Sequence, residues 1–167
     1  STEGMKEMAA RLGLLHNGKL DLSEYMETLK KLRTTPNGIF GAKVQYWMMP
    51  RLTNKRLISK HFPGSKFIFL TRLDAIAQGV SLELAWQSGQ WTSRHKPEGE
   101  ATYDEERVKK AIRIMVQEQV SWEAFYALNE IQPLRLTYER LVQETENVCR
   151  EICAHVGVET DYIFSID

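Results

Sequence analysis

Phe67-Ile-Phe-Leu-Thr-Arg72-Leu-Asp74-Ala-Ile-Ala-Gln78-Gly-Val-Ser81 is the stretch on which the reading of this chain turns. The apolar run 67–70 reads as a strand buried on both faces, the kind that parallel sheets contain. It stops at Thr71 and Arg72, and Asp74 then offers a carboxylate able to cap the helix that follows. In open α/β sheets ligands lie beyond the carboxyl ends of the strands, where Arg72 falls. Within the predicted helix Asp74, Gln78, Ser81 and Ser88 share one stripe, at offsets of four, seven and fourteen from the cap. Ile76, Ala77, Val80, Leu82, Leu84, Ala85 and Trp86 fill the remaining positions.

That polar stripe has two readings. It is either a solvated helix face, with Arg72 simply pairing Asp74, or a surface that meets a polar ligand. For the second, the arginine fork suits a phosphate and the Ser81 hydroxyl adds a donor. Seven residues of helix rise about 10 Å, so an anion held by both lies alongside the helix rather than on its N-terminal end.

Outward from this segment the pattern is mostly helical, with two further strands. Residues 5–12 and 22–32 repeat apolar side chains at helical spacing, the second run opened by Asp21 or Ser23. Residues 34–38 are rich in turn formers, 38–46 read as a strand, and 48–61 as a helix or irregular segment interrupted at Pro50. Residues 92–101, with Pro97, Gly99 and a charged cluster, read as a mobile surface loop. Thr102 and Glu105 have capping-box spacing for a long helix running to Asn129. Residues 134–138 read as a short strand. A last helix carries Leu141, Val142, Val148, Ile152 and Val156 and stops at Gly157. Strands alternating with helices predict an α/β fold, a helix-rich three-layer parallel sheet in a single domain over 1–167.

Bulk properties exclude several classes. The 167 residues carry 22 basic and 22 acidic side chains, net charge zero, which argues against a polybasic nucleic-acid surface or an acidic tail. No apolar stretch approaches the roughly 20 residues that cross a bilayer, and none reads as a signal peptide. Cys149 and Cys153 lie four apart on one helical face, a poor arrangement for a disulfide or a metal, and read as reduced core thiols of a cytoplasmic protein. No metal site is expected.

Arginine at a strand end and serine nine residues on, in the wording Leu70-Thr-Arg-Leu-Asp74 and Gln78-Gly-Val-Ser81-Leu, resembles the place where sulfotransferases grip the 3′-phosphate of their donor. Thr35-Pro-Asn-Gly-Ile-Phe-Gly-Ala-Lys43, Gln87-Ser-Gly-Gln-Trp91, Tyr103-Asp104 and Pro133-Leu-Arg-Leu-Thr-Tyr138-Glu139-Arg-Leu141 agree, in order, with the bacterial carbohydrate sulfotransferases of the trehalose 2-sulfotransferase type. The resemblance runs from about residue 20 to 157. It implies the P-loop/sulfotransferase type of sheet and transfer of a sulfuryl group from 3′-phosphoadenosine-5′-phosphosulfate (PAPS) to a hydroxyl of a carbohydrate, trehalose-like, or related small acceptor. Arg72 and Ser81 would hold the donor, and a homodimer is implied. The strand, phosphosulfate loop and helix with which such enzymes begin have no counterpart here, nor has the early glutamate assigned as general base. The chain is therefore expected to be the larger C-terminal part of such an enzyme. The alternatives are a nucleotide-gripping assembly module without catalysis, or a kinase-like phosphotransferase, although no Gly-x-x-x-x-Gly-Lys-[Ser/Thr] loop is present.

Further candidates carry two readings each. Lys43 is either a solvent-facing strand terminus or a cation for the leaving phosphate. Two residues on, where animal cytosolic sulfotransferases place a histidine base, stands Gln45, which takes no proton. Trp91, Trp47, Tyr46 and Tyr103 are either aromatics that cap the core or platforms for a sugar or adenine. Arg94, His95 and Lys96 are either solvated surface or a basic cluster closing over an anionic donor. His16, His61 and His155 read as structural, and Arg135 and Glu139 as a local pair without a role.

Overall fold

The computed structural model describes residues 2–54, 56–91, 96 and 98–159, without the side chains of residues 2–5 and 54. Two compact units emerge, Ser1–Ser65 and Lys66–Asp167.

The first unit starts with α1 (Thr2–Arg11), a hairpin of β1 (Leu15–His16) and β2 (Lys19–Leu20), and α2 (Leu22–Arg33). Asn17 and Gly18 make the hairpin turn with φ of 52° and 71°, both left-handed, as a type I′ turn requires. That Asn-Gly signal stands in the sequence but was not among the expected strands. Asp21 caps α2, its Oδ1 accepting from the N–H groups of Ser23 (2.8 Å) and Glu24 (3.2 Å). Ala9, Leu14 and Tyr25 form a small core, flanked by Met8, Leu12, Leu15, Leu20 and Leu29.

The strand expected over 38–46 does not form. Thr35 and Ile39 instead close a turn (Thr35 N–H to Ile39 O, 2.8 Å), and residues 40–45 run without a ladder partner. Gly41 and Ala42 have no branched side chain to hold an extended face, and an unpaired strand is not stable in water. A 3₁₀ turn at Tyr46–Met48 leads into α3 (Met49–Asn54), and α4 follows (Leu57–His61). Pro50 interrupts nothing, because it occupies the first turn of α3, where its missing N–H is not needed. Arg56, with φ of 50°, makes the break between α3 and α4.

The second unit contains β3 (Ile68–Thr71), α5 (Ala75–Ser88), α6 (Glu105–Leu128), β4 (Leu134–Thr137), α7 (Tyr138–Gln143) and α8 (Thr145–Val156). β3 and β4 pair in parallel, Ile68 with Leu134 through Thr71 with Thr137. Of the expected three-layer parallel sheet, the described residues contain one parallel pair; the two strands of the first unit form a separate antiparallel hairpin. With a single neighbour, β3 is not buried on both faces. Phe69 is buried and meets Tyr126 of α6 edge-on at 5.4 Å, whereas Ile68 and Leu70 on the other face stay 39% and 50% exposed.

α5 packs along α6 at Gly79, where a Cβ would overlap Cγ1 of Ile112. Gln87 near the end of α5 clasps the backbone of Thr102, donating from Nε2 to its carbonyl (2.9 Å) and accepting from its N–H (2.8 Å). Asp104, not Thr102, caps α6, accepting from Arg107 N–H at 3.1 Å. Glu144 divides the expected last helix into α7 and α8, and Gly157 ends α8 at φ of 77°. Cys149 and Cys153 on α8 are half-buried free thiols, and burial pushes the Cys149 thiol up. No helix among the described residues is long and apolar enough to cross a membrane.

Candidate functional site: the corner between β3 and α5

Because β3 and β4 run parallel and in register, they end side by side at Thr71 and Thr137. The residues just beyond them therefore share one corner of the second unit: Arg72, Leu73 and Asp74 from one strand, Tyr138 and Glu139 from the other. Asp74 does not pair with Arg72. Its carboxylate caps α5 instead, accepting from Ala77 N–H at 2.8 Å.

Glu139 meets the same turn from the α7 side. Its oxygens accept from the Leu73 N–H, both at 3.1 Å, and one accepts from Asp74 N–H at 3.4 Å. Desolvation pushes its carboxyl up, but the backbone N–H groups of Glu139, Leu73 and Asp74, with the Arg72 charge, outweigh that and hold it below the usual range. Glu139 thus has a structural partner set that sequence reasoning missed. Arg135, its expected partner, forks onto Glu123 of α6 at 2.6 and 2.7 Å. The signal that could have found the corner is the apolar run 67–70 together with the alternating Leu134-Arg-Leu136, whose parallel pairing sets Thr71-Arg72 beside Thr137-Tyr138-Glu139.

No hydrogen bond holds the Arg72 side chain among the described residues. The guanidinium carbon lies 4.9 Å from the centre of the Tyr138 ring, within cation–π range. Its Nε is 4.0 Å from Glu139 Oε1, too long for a hydrogen bond. That Nε is buried without a hydrogen-bond partner, an unusual and costly state for a charged donor. The two outer nitrogens are not buried and make no hydrogen bond among the described residues, so they are open to an oxyanion.

Ser81 stands exposed about 10 Å along α5 from the corner, its hydroxyl without a partner among the described residues. Ser88 leaves the expected stripe. It is buried, donating to Leu84 O at 2.7 Å and accepting from Gln90 N–H at 3.3 Å. Glu83 is buried on α5 as well, 2.7 Å from Arg107 Nε and bonded to Gln87 Nε2 at 2.9 Å. Trp91 and Tyr103 belong to this unit and are 56% and 81% exposed, so neither caps the core. Arg94 and His95 lie outside the described residues, and Lys96 is exposed.

Lys43 and Trp47 belong to the first unit. Lys43 is exposed in the irregular segment, not at a strand end, with no ion pair among the described residues. Trp47 is half-exposed and donates from its indole to Gln45 Oε1 at 2.7 Å. In the same unit Glu27, Lys30, Lys31, Thr34, Lys60 and His61 line an open depression of about 490 Å³, which contains none of the candidate donor or acceptor contacts. His61 is structural there, buried with Nε2 2.8 Å from Ser23 Oγ. Likewise His16 bonds Glu24 (2.8 Å) and His155 reaches Phe67 O (3.1 Å). Among the described residues no three His, Cys, Asp or Glu side chains gather as metal ligands.

The ordered sequence signals agree with the family that comparison with known proteins finds. The Stf0 sulphotransferase family model matches residues 15–166. The chain is also similar to the trehalose 2-sulfotransferase of Mycolicibacterium smegmatis, 23% identical over 86% of this chain and 61% of that enzyme. It spans, then, less than two thirds of the length of this relative. With the family model covering nearly every residue, the chain belongs to the Stf0 sulphotransferase family.

Proposed function

We propose that this chain carries the donor-gripping part of a sulfotransferase that moves a sulfuryl group from PAPS to a hydroxyl of a carbohydrate, trehalose-like, or related small acceptor. In that step a bond forms between the acceptor oxygen and sulfur, the bond between sulfur and the phosphate oxygen breaks, and the hydroxyl proton passes to a base. The observation that carries the reading is Arg72. A guanidinium with its face against Tyr138, its Nε buried and unpartnered and its outer nitrogens open is prepared for an anion. It stands beyond the end of a parallel strand, where such ligands bind. Arg72 and Ser81 hold the donor's 3′-phosphate, one by charge and fork geometry, the other by its free hydroxyl. The β3–β4 pair is read as part of a three-layer sheet of the P-loop/sulfotransferase type.

Trp91 and Tyr103 are open aromatic surface in the second unit, suited to stacking on a sugar or adenine ring. Lys43, as stabiliser of the leaving phosphate, rests on the family resemblance, and Trp47, as an acceptor contact, on its half-exposed aromatic ring. The reaction needs no metal, and a homodimeric, cytoplasmic enzyme completes the proposal.

Titration calorimetry of the full chain with adenosine 3′,5′-bisphosphate, against ATP plus Mg²⁺, tests the reading. The bisphosphate is expected to bind more tightly, and Arg72→Ala to weaken it about 10- to 100-fold, the loss of one charge-assisted contact. Preference for ATP would indicate phosphoryl transfer. No binding of either nucleotide would favour an assembly module.

A further inference from the structure

The donor's phosphate would touch Arg72, but Arg72 by itself is a flexible side chain with four rotatable bonds. Held loosely, it would spend most of its time away from the geometry that a phosphate needs, and binding would have to order it. The corner shows what orders it. Tyr138 presents its ring 4.9 Å from the guanidinium carbon, which draws the charged head to one place. Glu139 lies 4.0 Å from Nε, the inner nitrogen of the fork, and no hydrogen bond engages the outer nitrogens among the described residues. The same carboxylate accepts from the N–H groups of Leu73 and Asp74, the residues that follow Arg72 in the chain. Side chain and backbone of the arginine are thereby referenced to one rigid group.

The separation matters for affinity. At hydrogen-bond distance, Glu139 would occupy N–H groups of Arg72 and compete with a phosphate for them. At 4.0 Å it biases the orientation while leaving every guanidinium N–H unspent. Both residues come from the first turn of α7, directly after β4, so the parallel strand pair itself fixes their distance from Arg72.

We infer that Tyr138 and Glu139 are positioning residues for the donor's 3′-phosphate, holding the Arg72 fork by its face and its inner edge so that its outer edge is free for the anion. The inference rests on the reading of Arg72 as the phosphate grip, and the test separates the two. The measured quantity is 3′-phosphate selectivity: the affinity of the full chain for adenosine 3′,5′-bisphosphate divided by that for adenosine 5′-monophosphate. Arg72→Ala is expected to bring this ratio close to one. Tyr138→Phe keeps the ring and should keep the ratio, whereas Tyr138→Leu should lower it about tenfold.

Glu139→Gln retains an oxygen for the backbone N–H groups but loses the charge, and should fall between the parent and Glu139→Ala. Urea melts of each variant identify any that fail to fold. A purely structural role would weaken both nucleotides equally and leave the ratio untouched. If Arg72→Ala collapses the ratio while folded Tyr138→Leu and Glu139→Ala leave it unchanged, the positioning inference is wrong and the phosphate grip stands. If the parent chain shows no selectivity, or Arg72→Ala does not reduce it, the grip itself is wrong and the inference falls with it.

Discussion

Replacing Gly79 by alanine should destabilise this protein, although the same change in an exposed helix would stabilise it. Alanine gains about 1 kcal/mol over glycine in a helix interior. At Gly79, however, the new methyl would overlap Cγ1 of Ile112 and stand 3.3 Å from the Ile112 backbone nitrogen. Cγ1 is one bond from Cβ and cannot swing aside as the end of a lysine would, so α5 and α6 must part. Overpacking of this kind costs about 1–3 kcal/mol, and the position of the clash favours the upper end. The net expectation is a loss of about 1–2 kcal/mol. For a unit of about 100 residues that lowers the melting temperature by about 5–15 °C.

Differential scanning calorimetry of Gly79→Ala, Ile112→Ala and the double variant forms a cycle that isolates the contact. Ile112→Ala alone loses packing. Gly79→Ala added to that background should be neutral or stabilising, because the space it needs has been vacated. An unchanged or raised melting temperature for Gly79→Ala in the parent would refute the reasoning. So would an equal loss in both backgrounds. Ser81 lies two residues further along the same helix, so the single variant should also lower selectivity for the 3′-phosphate.

Other expectations follow from the same geometry. Asp74→Ala removes the cap bond to Ala77 and should cost about 1 kcal/mol in urea melts, with Asp74→Asn largely restoring it. Glu123, whose carboxyl is pulled down chiefly by its hydrogen bonds to Arg135, contributes stability that is present above its unfolded value of about 4.5 and lost as pH falls through its lower folded value. Acid melts of Glu123→Gln should therefore slope less steeply below about pH 4.5 than those of the parent. Tyr126 behaves in the opposite sense: burial chiefly pushes its phenol up to about 12, so the folded chain resists ionisation that the unfolded chain accepts near 10. Stability should fall as pH rises from about 10 to 12, and Tyr126→Phe should flatten that limb in alkaline urea melts.

How much was legible follows physical lines. Asp21 and Asp74 announced helix starts because a cap is a local interaction between a side chain and the next turn. The long α6 was legible from periodicity, though its cap was assigned two residues early. Asp104 competes directly with Thr102, whose own backbone Gln87 occupies. Residues 38–46 read as a strand but form none, because strand identity is decided by a partner, which a local sequence pattern cannot supply. The exposed Ile68 and Leu70 correct the reading of β3 for the same reason: a short apolar run does not say how many faces are covered. Arg72 at the corner and Ser81 along α5 could be singled out as candidates by type and spacing. Tyr138 and Glu139 are 66 and 67 residues away from Arg72 in the chain, so only the pairing of β3 with β4 reveals them.

The clasp between Gln87 and Thr102 has an evolutionary consequence. One amide side chain imitates a neighbouring strand, satisfying a donor and an acceptor of the same residue and fastening the exit of α5 to the approach of α6. The stretch between them is anchored at its base, so residues added or removed there need not disturb the seam at Gly79. Loop closure becomes only about 0.6 kcal/mol more costly for each doubling of length. Insertions or deletions in this segment are thus expected to leave the packing of α5 on α6 unchanged.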